Sequence, residues 1–152
     1  MEVLNVFDAN TTASVLQRLS NLKPESRGSW GKMDAAQMLA HLNVAYDIAF
    51  ERQVVKHNAF QKLLMKLVVK NAVTNTKPYA KNLRTAPQFV ISSNKHFETE
   101  CDALIQNIKL VEQKGINYFD GKVNQSFGPL TAKQWSNMFY KHIDHHFNQF
   151  GI

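Results

Sequence analysis

The stretch TAKQWSNMFYKHIDHHFNQFGI (residues 131–152) closes the chain, and its periodicity decides the fold. Thr131 with Gln134 three residues on forms a capping box, in which side chains satisfy the first orphan N–H groups of a helix. The spacing predicts a helix over about 132–149, with Trp135, Met138, Phe139, His142, His146 and Gln149 on one face at about 100° per residue. His142 lies near the centre of that stripe, about 20° from Trp135. His146 falls about 40° to one side, His145 about 60° to the other, and Asp144 points nearly away. A stripe this wide must pack against other helices.

Those partners are legible upstream. Val15, Leu16, Leu19 and Leu22 predict a first helix over about 11–22, broken by Pro24 and Gly28. Asp34 and Gln37 resemble another capping box, opening a helix over about 35–51 with Met38, His41, Ala45 and Ile48 on its apolar face. A helix over about 94–114 carries Phe97, Cys101, Leu104, Ile108 and Val111, and Gly115 suits its end. Between these two lies a segment of about 58–72 with Phe60, Leu63, Leu64, Leu67 and Val68 on one side and Lys62, Lys66 and Lys70 on another. Residues about 75–92, with Pro78 and Pro87, read as loop, and Phe89–Ile91 could form a short strand. The expected architecture is an all-α four-helix bundle, with a long crossover between helices two and three carrying an extra short helix.

Composition agrees with one domain spanning residues 1–152. The chain is 44% hydrophobic and 20% charged, as folded proteins are. No apolar run reaches the ~18 residues of a membrane span, and the first residues lack the cationic start of a signal peptide. The single Cys101 fits a reducing compartment, so a cytoplasmic protein without membrane association is expected. The net charge of +6 is concentrated between Arg52 and Lys95, which hold nine of the 18 Lys and Arg and no Asp or Glu. That leaves nine bases against all twelve acids elsewhere.

The histidines carry the functional reading. His142 and His146 project from one face one turn apart, the spacing two ligands on a helix need to share an ion. His41 sits centrally on the second helix with small Ala45 beside it. Burying several imidazoles without partners costs roughly 1–3 kcal/mol for each unsatisfied group. A metal ion removes that cost by taking the lone pairs. The competing reading is one satisfied core histidine with the others solvated near a helix end. There is no Glu-x-x-His for a carboxylate-bridged di-iron bundle and no His-Glu-x-x-His for a zinc protease. Cys101 reads as packing rather than as a fourth ligand.

Trp30-Gly-Lys-Met-Asp34, Gln37-Met-Leu-Ala-His41-Leu and His142-x-x-His145-His146-x-x-Gln149 together resemble the DinB-like superfamily of metalloenzymes. They are most similar to an uncharacterised branch of it ending in His-His-x-x-Gln-Phe-Gly. The resemblance implies an up-down-down-up four-helix bundle with one divalent ion, nickel or zinc, on His41, His142 and His146. His145 matches a family histidine that is usually not a ligand. Characterised relatives include thiol S-transferases using bacillithiol or mycothiol and a thiol-dependent isomerase. Phe147-Asn148 stands where many members carry Arg-Gly, so the reaction does not carry over with the fold.

The leading expectation is a metal-dependent transferase that activates a low-molecular-weight thiol, with His145 or Gln149 orienting bound water or ligand. Three histidines leave coordination positions open, the catalytic pattern for zinc, and imidazole protonation should release the ion below about pH 5–6. The basic segment could steer a small anionic substrate. Two rivals stay open: a metal holder without catalysis, and a basic nucleic-acid-associated stress protein contacting phosphate charge. The 58–72 helix could cover the core or form a homodimer contact.

Overall fold

The computed structural model describes residues 2–152 and is mostly helical. Helix α1 spans Ala9–Leu19, α2 Ala35–Ala49, α3 Ala59–Leu64, α4 Lys70–Thr74, α5 Phe97–Phe119 and α6 Ala132–Phe150. A π turn, Met65–Val69, joins α3 to α4. Strands β1 (Val123–Asn124) and β2 (Gly128–Pro129) pair antiparallel, Val123 opposite Pro129.

Local chemistry sets these boundaries. Asp34 accepts the Gln37 N–H while the Gln37 side chain accepts the Asp34 N–H, and Thr131 and Gln134 do the same for α6. Asn58 and Gln61 form a third such box ahead of α3. At the far end of α6, Gly151 takes the left-handed conformation at φ 73°, which L side chains resist. Helix α1 begins two residues earlier than the expected 11, because the Asp8 carboxylate accepts the Asn10 and Thr11 N–H groups. Gly115 interrupts α5 at φ 67°, where the sequence placed a stop, and the chain then resumes one further turn to Phe119.

Helix α2 packs against α5 and α6, α1 against α5, and α4 against α6. The buried face of α6 stacks Trp135 on Phe139 with ring centres 5.6 Å apart, and Phe139 on Tyr46 of α2 at 4.9 Å. Phe119 meets both rings of α6. Rings of this size bury the most apolar area per residue, so this seam fixes how α2 and α6 face each other. No helix among the described residues is long and apolar enough to cross a membrane.

Two expectations are corrected. The apolar side of 58–72 does not cover the core: Phe60, Leu63, Leu64, Leu67 and Val68 are all exposed, Phe60 by 75%. The segment has a second apolar face, Met65, Val69 and Val73 at four-residue spacing, and this one packs inward. Lys70 bonds the Pro129 carbonyl at 3.0 Å, and Lys66 lies against Gly128, so these two lysines reach toward the hairpin. Phe89–Ile91 is not a strand either. Pro87–Phe89 forms a 3-10 turn, and the chain's short strands are Val123–Asn124 and Gly128–Pro129.

Candidate metal centre

His41 sits midway along α2, and His142 and His146 one turn apart on α6. The α2–α6 packing brings their rings together. Ring centres lie 4.9 Å apart for His41 and His142, 4.6 Å for His41 and His146, and 5.1 Å for His142 and His146. One ligating nitrogen from each lies within 4.8 Å of the others. Nitrogens bound at about 2.0–2.1 Å to one cation cannot be more than about 4.2 Å apart. In a tetrahedral set the nitrogens stand about 3.3 Å apart, so closing on an ion draws any wider pair inward.

The tautomers are set from behind. The Nδ1–H of His41 donates to the Phe89 carbonyl at 2.9 Å, and the Nδ1–H of His146 donates to Gln149 Oε1 at 2.7 Å. Each ring then presents its Nε2 lone pair inward, the arrangement by which outer partners orient metal-ligating histidines. The Nε2 atoms of His41 and His142 lie 2.9 Å apart, and since His41 carries its proton on Nδ1, the His142 Nε2–H donates to the His41 Nε2 lone pair; a cation would take the place of that proton. Gln149 is itself fixed, because its amide donates to the Trp30 carbonyl. The loop that supplies this carbonyl fits closely around Gln149. A Cβ on Gly31 would lie 2.5 Å from the Gln149 amide nitrogen, and Gly31 already has φ 81°. A Cβ on Gly28 would lie 2.9 Å from the Trp30 carbonyl oxygen. The glycines of 28–31 and Gln149 thus form one unit behind His146.

Burial keeps the cluster neutral. It lowers the pKa of His41, against the opposing bond to Phe89. His142 is held well below the usual histidine value by desolvation and then by its imidazole neighbours. Desolvation brings His146 down to about 3, the bond to Gln149 opposing it. His41 and His146 thus offer neutral Nε2 lone pairs to a cation, and His142 would join them on losing its Nε2 proton to solvent.

The remaining sequence candidates take other places. His145 lies outside the three-nitrogen group and stands edge-on to Trp30 and Tyr79, with ring centres 5.8 and 5.7 Å away. Gln149 holds His146 in place from behind, with both ends of its amide engaged. Cys101 is half-buried on α5 and is not one of the three donors. His57 bonds Ser126, and His96 is exposed at the start of α5.

Sequence reading missed Lys141, which is only 1% exposed. Its ammonium donates to the Ala72 carbonyl and to Asn75 Oδ1 and lies over the Tyr79 ring. Desolvation pulls its pKa to about 8. It ties α6 to the end of α4. An open cavity of about 1070 Å³ adjoins the histidines and includes all three in its lining.

The fold and its cluster define a mostly helical protein with a three-histidine group that could hold a metal ion. The chain belongs to the family described as Protein of unknown function (DUF1569), which it matches over residues 1–151. No curated protein and no solved structure matches it.

Proposed function

We propose that this protein is a DinB-like metalloenzyme in which His41, His142 and His146 hold one divalent cation, nickel or zinc. In this reading α1, α2, α5 and α6 are the four helices of an up-down-down-up bundle. The α3–α4 segment then belongs to its crossover. The reaction is transfer of a low-molecular-weight thiol to an electrophile. The observation that carries the proposal is the pair of spent Nδ1 atoms, which leaves Nε2 lone pairs converging from two helices remote in sequence.

A cation bound there supplies Lewis acidity and favours the thiolate form of a bound thiol. The chain's own groups do the rest. Phe89 and Gln149 hold two imidazoles in one tautomer. Lys32 and Arg84 line the cavity and form no ion pair with any described residue, so they are free to attract an anionic substrate. In the transfer the thiol proton passes to solvent, sulfur bonds to the electrophilic carbon, and the leaving group departs with the electron pair of its broken bond.

The test uses bacillithiol and mycothiol with monobromobimane, where bromide leaves and conjugation is fluorescent. Nickel- or zinc-loaded protein should accelerate conjugation above the uncatalysed rate, and chelation or His142→Ala should abolish the acceleration. Equal rates in wild type and His142→Ala would remove the enzyme reading and leave a metal holder.

A further inference from the structure

The cavity beside the histidines is divided in character. Its helical walls are apolar: Ala45 of α2, Met65 and Val69 of the π turn, Val73 of α4, and Met138 and Phe139 of α6. Several polar side chains of the helices and the hairpin that line it are already engaged. Gln37 completes the cap of α2, Asn124 accepts the Ser126 and Phe127 N–H groups, and Ser126 bonds His57. By contrast Asn82, Arg84 and Thr85 of the loop before the 3-10 turn, and Gln88 within it, line the same space without a side-chain partner among the described residues. The cavity therefore offers a ligand an apolar chamber, a polar loop with a free guanidinium, and the imidazole nitrogens.

We infer that this cavity binds an amphipathic small molecule, an aliphatic or aromatic body with an anionic end. This rests on the proposed reading of the three histidines, because it assigns the second reactant of that site. At about 1070 Å³ the space is slightly larger than the roughly 300–1,000 Å³ of most small-molecule sites. A hydrophilic thiol alone could bond its hydroxyls along the loop but would leave the helical walls without an apolar partner. An apolar body is the complement of these walls, and the anionic end is the complement of Arg84 and Lys32. The electrophile, not the thiol, is thus the component selected by the chamber.

The probe is the series of straight-chain carboxylates from acetate to decanoate, titrated calorimetrically against the full-length protein, with metal content measured on the same samples. Affinity should rise about fourfold per added methylene until the chamber is filled. Ala45→Phe and Val73→Trp, which occupy the chamber, should end that rise at a shorter chain. An affinity independent of chain length, or the same cut-off in wild type and both variants, would overturn the inference. The two readings fail separately. Protein that holds metal but shows no chain-length gain loses the amphipathic ligand alone. Protein that shows the gain without ever holding metal keeps the chamber and loses the metal site.

Discussion

Between pH 6.5 and 5 the metal-free protein should lose stability steeply, by about 1.4 kcal/mol per pH unit for each buried histidine kept neutral. The sign follows from burial. In the unfolded chain these imidazoles titrate near 6.5, whereas in the folded cluster all three are lowered, His146 to about 3. Below about 6.5 the unfolded chain takes up protons that the folded cluster refuses. The contribution is complete above the unfolded value and is lost as the pH falls toward the folded one. Carboxylates titrate mainly below this window, so it isolates the histidines. Urea midpoints of chelator-treated protein at several pH values measure the slope, with His41→Leu beside wild type. A flat profile from 6.5 to 5 would mean that the imidazoles charge freely in the fold. The same burial moves proton competition for a bound cation below the pH 5–6 expected of free imidazole, so release there would follow unfolding.

Gln149→Leu should lower affinity for nickel or zinc by about 10- to 100-fold while leaving all three candidate ligands in place. Leucine matches the volume but removes the acceptor of His146 Nδ1–H and the donor to the Trp30 carbonyl. Stability should fall as well, by roughly 1–3 kcal/mol for each buried polar group left alone. Gln149→Glu distinguishes orientation from packing. A carboxylate keeps the acceptor, so metal affinity should recover in part although the bond to Trp30 is lost. Unchanged metal affinity in the leucine variant would show that the His146 ring is oriented by something else.

Much of this architecture is legible because it rests on short-range rules. The Asp34/Gln37 and Thr131/Gln134 boxes fix two helix starts within one turn, and the Gly115 and Gly151 conformations follow from what only glycine adopts easily. That His142 and His146 share one face was legible for the same reason, since α6 is strongly amphipathic; α2 is apolar nearly all round, so the convergence of His41 on them shows only in the packing of the two helices. The outward face of 58–72 was not legible. That segment is apolar on two sides, and periodicity cannot say which side a tertiary neighbour will cover. The Phe89 and Trp30 carbonyls carry no side-chain signature, so the groups that orient His41 and Gln149 are visible only in the fold. Lys141 follows the same logic in reverse. A lysine on an amphipathic helix reads as solvated, yet the Ala72 carbonyl and Asn75 receive it.

Metal titration, with nickel and zinc content of purified wild type, His41→Ala, His142→Ala and His146→Ala, tests the account where it is most exposed. Near one ion per wild-type chain, with tight retention lost in each variant while helical content persists, is the predicted result. A wild type that binds neither ion above the level of the variants would contradict it, and the converging imidazoles would then be a hydrogen-bonded core cluster.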